Sequence, residues 1–195
     1  TARWIEPVER ERPPPGRRPA YLLRREFDVE ATAPARLHAT AHGVYEAFLN
    51  RCRLGDAELA PGSTSYGTTL RVQTYDVTEL LASGDNVIGA LLSDGWWRGQ
   101  NSVARRVDDY GPTTALLMQL VVTLESGATI AFGSDASWRS TPSHILRADL
   151  IAGERPILAG HPHQHAAISQ GVQVHAARHA NDELRPARAA LLQRS

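Results

Sequence analysis

The sequence predicts an all-β protein, a two-sheet sandwich with short connecting helical turns. From Ala20 onward the apolar residues fall in short runs, without the three-to-four spacing of long amphipathic helices. Turn-forming residues separate these runs at regular intervals, as they do between short strands. No repeat of roughly 20 to 50 residues marks a solenoid or propeller.

Taken in order, residues 1–19 read as a Pro/Arg-rich lead-in or linker. Four prolines (Pro13, Pro14, Pro15 and Pro19) fall within seven positions, fixing φ and removing donors. Residues 20–155 form the expected sandwich. Strands are expected over Tyr21 to Val29, Ala35 to Ala41, Val44 to Leu49, Leu70 to Tyr75, Asn86 to Leu92, Thr114 to Leu124 and Thr129 to Phe132. The turn Glu125-Ser126-Gly127 joins the last two, with Gly127 free to take positive φ. Asn50 stands where an Asn-led hairpin turn belongs, and Asp76 is placed to cap a helical turn over Asp76 to Leu81, which Gly84 ends.

Residues 156–195 form a His/Ala-rich tail with little to offer a core. All twelve aromatic residues lie at or before Trp138, whereas five of eight histidines lie between His161 and His179.

The length of 195 residues suits one domain with appendages. Twenty-one basic and 21 acidic residues cancel, leaving no global field for nucleic acid or an anionic membrane. Every basic residue is Arg and none is Lys, which suggests a GC-rich bacterial gene. The single Cys52 excludes an intrachain disulfide and reads as a half-buried strand residue. No run approaches the roughly 20 apolar residues of a membrane span, and no signal segment opens the chain. The chain starts on Thr1, so a fragment or processed product is expected, with cytoplasm and secretion both open.

Several segments carry more than fold. They are His42-Gly43-Val44-Tyr45 with Asn50; Pro61-Gly62-Ser63; Tyr75-Asp76-Val77-Thr78 with Gly84-Asp85-Asn86; and Asp94-Gly95-Trp96-Trp97-Arg98-Gly99. Further on come Tyr110-Gly111-Pro112, Ser134 to Trp138 and Asp149 to Glu154. In this order, behind Trp4-Ile5 and Leu23 to Phe27, they resemble the N-terminal jelly-roll module of bacterial α-L-rhamnosidases of glycoside hydrolase family 78. The resemblance implies a galactose-binding-like sandwich. Arg51 departs from it, since the family usually has Gly after the hairpin Asn. The residues after Glu154 depart too, which a frameshift or truncated gene would explain.

The resemblance further implies a parent enzyme that hydrolyses terminal α-L-rhamnosides with inversion, using two carboxylates about 6.5 to 9.5 Å apart. In the family those carboxylates sit on a separate (α/α)6 barrel, so no catalytic residue is expected here. The expected role is an accessory module that supports the barrel and has the parent's other domains as partners. Asp56, Asp76, Asp85, Asp94 and Asp135 all read as turn or cap residues that accept backbone hydrogen bonds.

A second reading makes the chain a module for L-rhamnose or rhamnose-containing glycans. Trp96 or Trp97 would be the platform, with Asp94, Arg98, Gln100 and Asn101 on the hydroxyls. The two indoles, read as strand neighbours, would point to opposite faces. A third reading is an interaction domain without a sugar role. No cofactor is expected, calcium being admitted only alongside sugar binding. The triplet His161, His163 and His165 reads as a solvated tail, not as a metal site.

Overall fold

The computed structural model describes residues 1–30, 34–157, 172–173 and 175–176. Among them the strands are β1 (Ile5–Glu6), β2 (Tyr21–Val29), β3 (Ala35–His42), β4 (Val44–Leu49), β5 (Cys52–Arg53), β6 (Gln73–Asp76) and β7 (Gly84–Ser93). They continue with β8 (Ala115–Thr123), β9 (Thr129–Gly133), β10 (Arg139–Pro142), β11 (Ile145–Asp149), β12 (Gly153–Pro156), β13 (Val172–Gln173) and β14 (His175–Ala176). A 3-10 turn covers Thr78–Leu80, and one helical turn, α1, covers Gly95–Arg98.

One sheet has the order β14-β1-β8-β3-β6, with β9 also paired to β8; the other runs β13-β10-β2-β7-β4-β5. All pairings are antiparallel, and β11 and β12 form a separate hairpin. The alternation along β7 and β8 shows why the sheets face each other. Ile88, Ala90 and Leu92 point inward from one sheet, and Leu116, Met118, Leu120 and Val122 from the other. Phe27 on β2 meets Phe132 on β9 with ring centroids 4.6 Å apart.

Strands β2 and β4 coincide with the expected ones, and β3, β7, β8 and β9 differ by one or two residues at their ends. Strand β6 begins only at Gln73, where pairing with β3 starts. The strands β1, β5, β10, β11 and β12 lay outside the expected ones because each is short and none shows a clean alternation.

The lead-in is more than a linker. The 11–19 stretch is neither helix nor strand, but ahead of it Ile5 is fully buried and pairs with Leu116. Ser134 locks this segment down: its Oγ donates to the Arg3 carbonyl at 2.6 Å and accepts from the Met118 amide at 3.1 Å. The tail also returns, β13 to β10 and β14 to β1, so both sheets gain an edge strand from it. His161, His163 and His165 lie outside the described residues.

Two expectations are corrected. Cys52 is exposed, because it sits on the two-residue edge strand β5. Trp96 and Trp97 lie in the helical turn α1 and not on a strand. Gly95 breaks the strand at φ +52°, in a spot where a Cβ would stand 2.6 Å from Val44 Cγ1. Helical neighbours are about 100° apart, so Trp97 turns inward and Trp96 stays half-buried.

The β4–β5 hairpin turns on Asn50 (φ 49°) and Arg51 (φ 73°), both left-handed. Asn50 also bonds the Val87 amide, the Leu80 carbonyl and Asn86 Oδ1. Arg51 therefore bears a side chain where glycine carries no steric cost, although glycine loses more freedom on folding. Arg51→Gly is expected to stabilise the fold by about 0.5 to 1 kcal/mol, the net of those two effects, in urea unfolding. A loss of stability would mean that the Arg51 side chain makes a stabilising contact.

Candidate functional site

A charged cluster forms where the lead-in crosses α1 and the loop after it. Arg98 is 0% exposed. Its Nε donates to Asp94 Oδ1 at 2.7 Å, while Nη1 and Nη2 grip Glu9 Oε2 and Oε1 at 3.0 and 2.8 Å. Nη1 also reaches the Pro112 carbonyl at 3.3 Å. One helical turn brings Asp94 and Arg98 onto the same side, four residues apart.

Arg18 completes the cluster. Its Nη1 meets Asp94 Oδ2 at 3.3 Å, the Arg98 carbonyl at 3.1 Å and Asp108 Oδ1 at 2.9 Å, while its Nε donates to the Pro13 carbonyl. Burial pushes the Asp94 carboxyl up, and Arg98 and then Arg18 pull it back. Burial, followed by the Glu9 carboxylate, also raises the Tyr21 phenol.

Beside this cluster lies a stack of rings. His42 is sandwiched between Trp4 (centroids 4.1 Å apart) and Trp97 (3.8 Å, 5° between planes). Tyr66 meets Trp97 edge-on, and Tyr110 lies over the outer part of the group. The Trp97 indole N–H donates to the Thr113 carbonyl at 2.9 Å. Gly111 lets the loop close on this indole, since a Cβ there would come within 2.9 Å of Nε1.

The six residues singled out as a sugar site are neighbours, but half of them face inward. Asp94, Trp97 and Arg98 are buried, and the carboxylate and guanidinium are bonded to each other and to Glu9 and Arg18. The expected set therefore does not present one sugar-facing surface. Trp96, Gln100 and Asn101 are only half-buried. Gln100 donates its amide to Asp149 Oδ2 and accepts from Arg105, and Asn101 Nδ2 donates to the Trp96 carbonyl.

Asp94 is also a correction among the turn carboxylates, because its acceptors serve guanidiniums and not backbone amides. Asp76 and Asp135 do bond the amides of Thr78 and Ser137. Glu9, Arg18 and Asp108 were missed as partners. Glu9 and Arg18 lie far from Asp94 in the chain, Asp108 stands in the loop after α1, and none of the three carries a spacing signal.

As chemistry, the cluster is a closed ion network. No group of three or more His, Cys, Asp or Glu among the described residues is arranged for a metal. The carboxylates that converge, Glu9, Asp94 and Asp108, enclose two guanidiniums in the place a calcium ion would need, so this cluster does not suit calcium.

A family model described as "Alpha-L-rhamnosidase N-terminal domain" matches residues 30–184. The chain belongs to the α-L-rhamnosidase N-terminal domain family. The match runs past Glu154, so the family likeness continues into the tail, beyond the last motif read from the sequence.

An α-L-rhamnosidase of Streptomyces avermitilis is 41% identical over 137 residues, which are 69% of this chain and 13% of that protein. One from Alteromonas sp. (strain LOR) is 36% identical over 140 residues, 70% of this chain and 15% of that one. The domain thus spans only a small part of the relatives it matches. Among solved structures, the native α-L-rhamnosidase of Aspergillus terreus superposes with a TM-score of 0.80 at 31% identity, covering 91% of this chain and 21% of that one. The Streptomyces avermitilis enzyme complexed with L-rhamnose gives 0.72 at 35% identity, covering 82% of this chain and 16% of that one.

Proposed function

We propose that this rhamnosidase N-terminal domain is a non-catalytic accessory sandwich that packs against and positions the catalytic part of a larger enzyme acting on terminal α-L-rhamnosides. The observation that carries the reading is the loop after α1. Its base is fixed by the paired backbones of Asn101 and Arg106, by the Asp108 amide on the Arg98 carbonyl, and by the Arg18–Asp108 ion pair. On this rigid base three non-glycine residues, Ser102, Arg105 and Asp108, hold positive φ. The loop leaves Val103 fully exposed and Tyr110 45% exposed. A strained, anchored loop that holds apolar side chains in water suits contact with another domain.

In the full-length parent, Val103→Glu is expected to lower the midpoint of thermal unfolding and rhamnoside hydrolysis, while the domain alone changes by less than about 0.5 kcal/mol. No effect in the parent would count against this contact. Hydrolysis of an aryl α-L-rhamnoside by the domain alone would overturn the accessory role.

The half-exposed Trp96, beside Gln100 and Asn101, supports a second reading, a site for L-rhamnose. Asn101 Oδ1 is buried without a hydrogen-bond partner. L-rhamnose added with and without calcium would then shift tryptophan emission. Unchanged emission and no calorimetric heat would remove this reading.

A further inference from the structure

The hairpin of β11 and β12 holds two arginines, and among the described residues no acid forms an ion pair with either. Arg147 and Arg155 are direct cross-strand partners, and like charges so placed repel. A register shift between Ile145 and Arg147 pushes Leu146 out of the ladder beside them. The lead-in runs alongside, tied by the Ala148 amide on the Arg18 carbonyl and the Ala20 amide on the Ile145 carbonyl. This brings Arg17 to the same place. Arg17, Leu146, Arg147 and Arg155 line a cavity of about 380 Å³.

Among the described residues none of these three guanidiniums has an ion-pair partner, and Arg147 Nε is buried without a hydrogen bond. The contrast with Arg18 and Arg98 is sharp, since every nitrogen of that pair has an acceptor. A fold that matches its buried arginines so closely, yet sets two others face to face around a hollow, leaves a place for negative charge. The hollow lies within the range of small-ligand sites, roughly 300 to 1,000 Å³. Guanidiniums bind oxyanions through paired, charge-assisted hydrogen bonds.

We propose that the cleft between Arg17, Arg147 and Arg155 binds a small oxyanion, a carboxylate or sulfate group, free or carried on a polar ligand. The site is separate from the loop assigned to domain contact, and stands whether or not that assignment holds.

The test is calorimetric titration of the full chain, at low ionic strength, with sodium glucuronate, with sodium sulfate and with glucose as the neutral control. At least one anion is expected to bind saturably at one site, weaken with added salt and bind about tenfold more weakly to Arg147→Gln. Arg17→Gln and Arg155→Gln change exposed side chains, so they keep the test valid if Arg147→Gln fails to fold. Glucuronate binding at least about tenfold tighter than sulfate supports a carboxylate on a sugar. Equal affinities support a free oxyanion. The proposal is overturned if neither anion saturates, if glucose binds as well, or if the Gln variants that fold bind like the parent chain.

Discussion

Arg98→Met is expected to cost about 3 to 5 kcal/mol of folding stability, measured by urea unfolding followed through tryptophan fluorescence. The size follows from what is left behind and not from the ion pair itself. Asp94 and Glu9 would face each other almost without water, Asp94 being 1% exposed, with only Arg18 left to answer Asp94. Removing one member of a buried network strands the others, whereas replacing the whole network by apolar groups can be nearly neutral. Arg98→Lys should recover only part of the loss, because one ammonium cannot span Asp94 and both Glu9 oxygens.

The sign of the pH response is also set. Burial already lifts the Asp94 carboxyl in the folded state, and Arg98 pulls it back. Without Arg98 it rises further. A carboxyl raised on folding lowers stability fully above its folded value, and the penalty fades as pH falls toward the unfolded value near about 4. The deficit of Arg98→Met should therefore shrink on acidification from neutral pH. A loss below about 1 kcal/mol, or a deficit that grows in acid, would show that the cluster does not hold the fold in this way.

Trp138→Ala is expected to cost a similar amount, about 3 to 5 kcal/mol, for a different reason. Trp138 is 1% exposed and heads the fully buried side chains by volume. It sits in the connection just before β10, within the core shared by the two sheets. Its indole N–H donates to the Gly133 carbonyl at 3.2 Å, and that carbonyl also accepts from Arg25 at 2.9 Å. Loss of the indole therefore leaves a cavity and not an orphaned acceptor. Trp138→Phe should cost less than the Ala change, since most of the volume stays. If Phe proves as costly as Ala, the hydrogen bond outweighs the packing, and this account of Trp138 fails.

The long strands were legible because their signal is local. In β4, β7 and β8 the inward residues recur every second position, β2 departs from this only at Arg25, and a period of two needs no knowledge of the rest of the chain. The Asp76 bond to the Thr78 amide and the Gly127 turn (φ 80°) are local in the same sense. Strands β1, β5, β10, β11 and β12 were not legible, because so short a segment becomes a strand only by finding a neighbour, as Ile5 finds Leu116.

The Asp94 to Gly99 run shows the same division at the candidate site. Its composition marked the place, and its order among the other motifs marked the family. Nothing within the run tells that Gly95 turns the strand into a helical turn, since that depends on how closely Val44 approaches it. Nor does it tell that Arg98 is spent on Glu9, 89 residues away in sequence, or Asp94 on Arg18, 76 residues away. Alternation and turn chemistry act between near neighbours in the chain and can be read along it. Burial and charge pairing act between neighbours in space, and only the folded chain settles which residues those are.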